Sequence, residues 1–277
     1  MASEPTAPRK HISGFSNSSV KYWRSLRDKK HRKRAGQFLV EGLRLLEDAR
    51  QAGYLPQQLV MAAERAPHPL LDQLELAVVD AGGEVITTTP EILSKITGKS
   101  NPQAVLGVFD EWDTGLEKLE KAAAPIWLVA ERLRDPGNLG TMLRTGDAVG
   151  AGGLILIDDC ADPFSAEAVR ASMGAVFSQR IAQASWDAFI TWLREPGGIA
   201  AGQLVAASLR EAVPYREAKY RAPCFILVGN ESQGLPEAYE AECDLRVTMP
   251  MKGRADSLNA AMAGAVLAYQ VLAGLDE

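Results

Sequence analysis

Hydrophobic positions along this chain change their spacing part-way through its 277 residues. From Val20 onward, VKYWRSLRDKKHRKRAGQFLVEGLRLLEDARQAG begins as a basic helical stretch and passes through the β-leaning QFLVEG. It then enters an amphipathic helix, with Leu43, Leu46 and Ala49 at helical spacing and Gly53 as its stop. Short apolar runs alternate with helix-like segments as far as AVLGVFDEW, which describes a small α/β domain over residues 20–112. Residues 113–124, DTGLEKLEKAAA, read as a charged helical linker. Beyond them IWLVAE, GLILID, QLVAAS, CFILVGNE and LRVTMP are five short apolar runs separated by helix-length stretches. That pattern predicts a mainly parallel sheet with crossovers over residues 125–277. Open sheets of this kind bind ligands outside the carboxyl ends of their strands, and GNESQG, residues 229–234, lies at such an end.

Composition narrows the class. Apolar content of 47% and charged content of 23% are those of an ordinary soluble protein, and no window approaches the roughly 18 apolar residues of a membrane span. The chain is therefore expected in the cytoplasm, away from membranes. Residues 1–19 are polar, small and Pro-containing without an apolar centre, so they read as a flexible tail rather than a signal peptide. Cys160, Cys224 and Cys243 are odd in number and widely spaced, with three His in the chain, which indicates neither a disulfide framework nor a metal site.

The net charge of −5 conceals an asymmetry. Residues 1–40 carry ten Lys and Arg against Glu4 and Asp28, a net of +8, which leaves −13 for the remainder. Lys29, Lys30, Arg32, Lys33 and Arg34 cluster within six residues, the pattern of phosphate contacts to a polyanion.

Two glycine motifs lead nowhere. TGKS, residues 97–100, lacks the glycine of a phosphate loop because position 93 is Leu93, and GAGG, residues 150–153, has the wrong spacing for a dinucleotide turn and precedes a strand.

Three other segments carry the candidate chemistry. Residues 131–150, ERLRDPGNLGTMLRTGDAVG, follow an apolar run, with Gly137, Asn138 and Gly140 expected in a tight strand-to-helix turn and Arg144 in the helix beyond. LVGNESQGLP ends another run. In residues 249–270, MPMKGRADSLNAAMAGAVLAYQ, Ser257 is suited to cap a small-residue helix, with Asn259 two residues inside it.

The triple arrangement resembles the SpoU/TrmH branch of the SPOUT methyltransferases, which move a methyl group from S-adenosylmethionine to a ribose 2′-hydroxyl of rRNA or tRNA. Asn138, Gly140, Arg144 and Gly150 match its first motif; Gly229, Glu231, Gly234 and Leu235 match its second; Pro250, Met251, Ser257, Leu258 and Asn259 match its third. Gly146 sits where Ala is usual, and VRASMGAVF, residues 169–177, is also typical. FLVEGLRLLE, residues 38–47, looks like the start of an RNA-binding domain similar to ribosomal protein L30e.

The resemblance implies an α/β fold: a carboxyl-terminal SPOUT domain with a parallel sheet and a deep trefoil knot, preceded by a small L30e-like domain. It implies an enzyme whose cofactor, S-adenosylmethionine, is held by Gly229, Asn230, Glu231, Gly234, Leu235, Met249, Pro250, Leu258 and Asn259. Glycines would let backbone groups read the adenine edge with no Cβ in front of them. Asn138, Arg144, Glu231, Ser257 and Asn259 form the implied catalytic set, with Arg144 as base or as orienter of the phosphate and developing alkoxide. A homodimer is implied, and RNA is the implied partner; the basic stretch favours rRNA over tRNA. A non-catalytic RNA-binding protein on the same scaffold is the rival reading.

Overall fold

Apolar runs too short for helices and rich in β-branched residues become strands, and segments with a helical period become the crossovers between them. The computed structural model describes residues 10–195, 202–230 and 232–275. The chain divides into two compact units, Met1–Trp112 with Phe164–Arg170, and Asp113–Pro163 with Ala171–Glu277.

The first unit contains β1 (Lys10–Ile12), α1 (Ser18–Ser25), α2 (Lys29–Ala35), β2 (Gln37–Glu41) and α3 (Leu43–Gln51). It continues through β3 (Gln58–Ala62), α4 (Pro69–Asp80), β4 (Glu84–Thr88), α5 (Pro90–Thr97) and β5 (Val105–Asp110). The sheet order is β1-β4-β3-β5-β2, with β1, β4 and β3 parallel and β5 antiparallel to both its neighbours. Trp23 and Leu26, from and just after α1, join Ile92, Leu93 and Ile96 of α5 and Val60, Ile86 and Leu106 of the sheet in one core. Burial stabilises by about 1.5–3 kcal/mol for each such Leu, Ile or Val. Phe164 belongs to this unit and packs against Phe38 at 5.0 Å and Trp112 at 4.8 Å between ring centroids.

Residues 10–19 are not the expected tail, while residues 1–9 lie outside the described residues. β1 pairs with β4, placing Ile12 opposite Thr88, whose hydroxyl donates to the Ile12 carbonyl at 2.7 Å, and Asn17 caps α1 by accepting from the Ser19 N–H. A three-residue strand with Ile12 as its one buried side chain leaves no period in the sequence to find.

The chain goes on through β6 (Ile126–Glu131), α6 (Pro136–Ala148), β7 (Gly153–Ile157), α7 (Ala166–Ala171), α8 (Ala175–Ser178), β8 (Arg180–Ala184) and α9 (Trp186–Arg194). β9 (Gln203–Ala207), β10 (Val213–Pro214), β11 (Cys224–Val228), α10 (Glu237–Ala241), β12 (Leu245–Thr248) and α11 (Ala260–Leu275) complete it. The second sheet, β10-β12-β9-β11-β6-β7-β8, is parallel throughout, and β11 enters between β6 and β9. β6, β7 and β11 are buried along their whole length, as strands covered on both faces must be, which is why they read as unbroken apolar runs. Trp127 and Phe225 stack across β6 and β11 at 5.9 Å in the middle of the core.

Residues 113–124 form two short 3-10 turns rather than a charged helix. Leu116 and Leu119 are buried in the second core, and the Lys121 carbonyl accepts from Trp127 Nε1 at 3.0 Å. Two apolar residues three apart among charges are enough to dock the segment.

Candidate active site

Each piece of the site stands at the carboxyl end of a second-unit strand. After β6 the helix α6 starts at an Asp-Pro pair: Asp135 accepts from the Asn138 N–H at 2.7 Å and Pro136 occupies the first turn. Gly137, Asn138 and Gly140 therefore lie inside α6, not in the turn expected of them, and Arg144 falls in its third turn with its side chain exposed. Gly146 is buried in the same helix, where a Cβ would come within 2.7 Å of Gln179 Oε1.

After β11 the chain makes a tight loop. Asn230 Oδ1 accepts from the Ser232 and Gln233 N–H groups at 2.9 and 3.1 Å, its carbonyl accepts from Gly234, and Nδ2 donates to the Arg132 carbonyl at 3.0 Å. One side chain thus shapes the loop and ties it to the end of β6. Gly234 has φ +66 with open space around an added Cβ, a conformation that favours glycine. Gly229 is required by the loop itself. A Cβ there would meet Gly234 C and Leu235 N at 2.6 Å, so it would collide with the loop's own backbone. Glu231 lies outside the described residues.

Before α11, the cap is Asn259 rather than Ser257. Asn259 Oδ1 accepts from the Ala261 and Met262 N–H groups, while Nδ2 donates to Asn138 Oδ1 at 3.0 Å, joining residues 121 apart in sequence. Ser257 is exposed, with its hydroxyl 3.4 Å from Asp256 Oδ1.

Between these segments lies a cavity of about 330 Å³. Gly229, Asn230, Gly234, Leu235, Met249, Ser257 and Leu258 line it; Pro250, Asn259, Asn138 and Arg144 do not. Pro250 is solvent-exposed. The cavity also takes Ala207 from the end of β9, Ser208 and Arg210 from just beyond it, Val247 and Thr248 from β12, and Glu240 from α10, none of which the motifs mark. Glu240 is buried and accepts from the Ser208 hydroxyl at 2.6 Å and Arg210 Nη1 at 3.1 Å, fixing that wall. The run QLVAAS was recognisable as a strand, and the rule that ligands sit beyond strand carboxyl ends would have found Ser208.

Two strained non-glycine residues flank the site, Arg132 at φ +44 and Asp158 at φ +60, directly after β6 and β7. Beside Arg132, the Glu131 carboxylate is buried and 3.0 Å from the Arg132 Nε; desolvation holds its pKa above the ordinary carboxylate range, against the pull of Arg132. Asp158 accepts from the Tyr239 hydroxyl at 2.9 Å, and burial together with that bond pushes Tyr239 up to about 12. Cys160 and Cys224 are buried thiols, with Cys160 pushed up to about 11 by desolvation. Among the described residues no cluster of three or more His, Cys, Asp or Glu could hold a metal, and no helix is long and apolar enough to cross a membrane.

The SpoU rRNA methylase family matches residues 125–269, the segment that builds the cavity. This chain belongs to that family. An MRM3-like substrate binding domain matches residues 17–107. Over 96% of this chain the fold is similar to an AdoMet-bound rRNA methyltransferase from Sinorhizobium meliloti, with a TM-score of 0.87, 38% identity and 98% of that protein covered. The SpoU methyltransferase AviRb of Streptomyces viridochromogenes, solved in complex with AdoMet, superposes with a TM-score of 0.82 at 28% identity, over 93% of this chain and 97% of its own. In sequence the chain is 30% identical to the 23S rRNA (guanosine(2553)-2′-O)-methyltransferase RlmP of Bacillus subtilis, across 95% of this chain and 99% of that one. Family membership thus spans both units, and the α/β fold with its parallel sheet agrees with the solved relatives.

Proposed function

We propose that this protein transfers the methyl group of S-adenosylmethionine to a ribose 2′-hydroxyl of rRNA. The observation that carries the reading is the cavity at the ends of β9, β11 and β12, with the Asn138–Asn259 pair close beside it. Its volume suits a small cofactor, and Gly234 leaves open space where a side chain would intrude. Backbone groups of residues 228–230 and 247–249 would hold the adenosine, with Leu235, Met249 and Leu258 as apolar walls. The cofactor supplies an electrophilic methyl on a sulfonium, open to in-line attack by a ribose oxygen.

What remains for the protein is to orient the ribose and ease a proton off a hydroxyl whose pKa lies far above neutrality. Arg144 suits that work as a fixed cation: a guanidinium stays protonated, so it would orient the adjacent phosphate and stabilise the alkoxide as it forms. Among the described residues no hydrogen bond or ion pair engages the Arg144 side chain, which leaves its donors free for substrate. Asn138, held by Asn259, would keep the ribose in line with the methyl. Glu231 and Ser257 complete the proposed set.

We read the insertion of β11 between β6 and β9 as the sheet component of the trefoil knot, and the chain as a cytoplasmic homodimer. Met262, Val266 and Tyr269 stand exposed along one face of α11, an apolar stripe suited to a second copy. The test of function is transfer of tritium from labelled S-adenosylmethionine to unmethylated rRNA, with 2′-O-methyls mapped in RNA from cells with and without the gene. Cofactor binding by calorimetry with no transfer to rRNA or tRNA would replace the reading with that of a non-catalytic RNA-binding protein.

A further inference from the structure

The first unit holds a second concave site, far in sequence from the motifs and made of different chemistry. Its volume is about 480 Å³, and it is lined by Tyr22, Gln37, Gln57, Gln58 and Glu84 with the two serines that open α1. Among the described residues no lysine or arginine contributes to the lining, although α1 carries Lys21 and Arg24 and α2 is rich in both. Among those residues a phosphate would find no counter-charge. The ligand it suits is an uncharged, flat group with hydrogen-bonding edges.

The amides are held in place. Trp23 Nε1 can only donate, and it meets Gln58 Oε1 at 2.7 Å; Glu84 can only accept when ionised, and it meets Gln58 Nε2 at 2.9 Å. Gln37 is pinned in the same way, with Nε2 donating to Asp110 Oδ1 at 2.7 Å and Oε1 accepting from the Tyr22 hydroxyl. Among the described residues each amide keeps one N–H and one lone pair uncommitted, at fixed orientation. An amide that offers both is the side chain that pairs with base edges, and an exposed ring is the surface on which an unstacked base lies. Tyr22 is 38% exposed beside them.

We propose that this pocket takes one unstacked base of the substrate RNA, seated on Tyr22 and hydrogen-bonded at its edge by Gln37 and Gln58. The proposal rests on the reading of the chain as an rRNA methyltransferase and adds where the first unit senses sequence. Cations of α1 and α2 would track the phosphates while the neutral pocket reads a base, a division of labour common to nucleic-acid interfaces.

The experiment uses the full chain and naked, unmethylated 23S rRNA, with the parent, Tyr22→Ala and Tyr22→Phe. Tyr22→Ala should weaken RNA binding about tenfold, as removal of one stacked base does, and raise the KM for RNA. Its kcat, cofactor affinity and slope of log affinity against log salt should stay unchanged. Tyr22→Phe keeps the ring but releases Gln37 Oε1, and should lose clearly less affinity than Tyr22→Ala. Ultraviolet irradiation of the parent complex should attach a nucleotide to Tyr22, a readout independent of any variant's folding. Affinity of Tyr22→Ala within twofold of the parent, an equal loss in Tyr22→Phe, a flattened salt slope or a crosslink map without Tyr22 would each overturn the proposal. Loss of binding to ribosomal particles alone, with naked rRNA bound normally, would assign the pocket to a protein partner and overturn it too. Failure of the parent to bind or methylate rRNA would instead sink the proposed function.

Discussion

Arg144 is exposed on α6, outside the cavity and without a partner among the described residues, so its removal opens no hole in the core. Arg144→Ala should leave the melting temperature and cofactor affinity close to those of the parent while lowering methyl transfer by about 10²–10³-fold, the usual effect of deleting one preorganised charge. A tritium-transfer rate within about twofold of the parent would remove Arg144 from the catalytic set. Glu131 presents the opposite case, a buried carboxyl whose folded pKa is raised, chiefly by desolvation. Above the ordinary carboxylate range the folded state then holds more protons than the unfolded chain, so this group's contribution to stability falls as pH rises through the raised pKa. Glu131→Gln removes the titration. Its melting temperature relative to the parent should climb between about pH 4 and pH 7, and a difference that stays constant over that range would show that Glu131 pairs as well in the folded protein as in water.

Elements differ in how much of themselves they leave in the sequence. β6, β7 and β11 were legible as apolar runs because both faces are buried, whereas β8, with Arg180 exposed and its last two residues half-buried, hid within what reads as a crossover. β10 is two residues long and exposed, too short for any period. The three motifs located the loop after β11 and the start of α11, but not the wall formed by Ser208, Arg210 and Glu240, since that wall depends on β9 and β12 being neighbours in the sheet. Caps were misplaced where two candidates stood close together: Ser257 and Asn259 are both good helix starters, and the hydrogen bond to Asn138 selects the second. The loop after β11 yields a prediction that separates its two glycines. Gly229→Ala must move the Gly234–Leu235 backbone, so calorimetry should show at least tenfold weaker S-adenosylmethionine binding, accompanied by a lower melting temperature. Gly234→Ala meets open space and carries only the strain of a left-handed residue, about 1–2 kcal/mol. Equal cofactor affinity in Gly229→Ala and the parent would mean that this loop does not shape the cofactor site.

Charge is distributed over the whole molecule so that the +8 of residues 1–40 opposes the −13 of the rest, and a polyanion approaching by diffusion is drawn to the first unit. The cations of α2 are not equivalent, however. Arg32 is buried, with Nη1 donating to the Leu26 and Arg27 carbonyls at 2.9 and 2.8 Å, which removes it from the expected RNA-binding set; helical periodicity turns one of five adjacent cations inward. Lys33 lies 3.5 Å from Glu111 and 6.0 Å from the Phe164 ring centroid, so it is partly engaged within the protein. Lys29, Lys30 and Arg34 are exposed and available for phosphate. Changing those three to Gln should therefore weaken rRNA binding and reduce the slope of log affinity against log salt by roughly two to three, at about 0.7–0.9 for each phosphate no longer neutralised. S-adenosylmethionine binding should be unaffected, because its proposed cavity lies wholly in the second unit. Arg32→Gln should do the reverse, lowering the melting temperature with the salt slope unchanged, since it deprives two backbone carbonyls of their donor and removes no exposed charge. Were the triple variant to keep the parent's salt slope, the cluster would be a solvated helix face, and RNA capture would fall to other cations of the first unit such as Lys21 and Arg24.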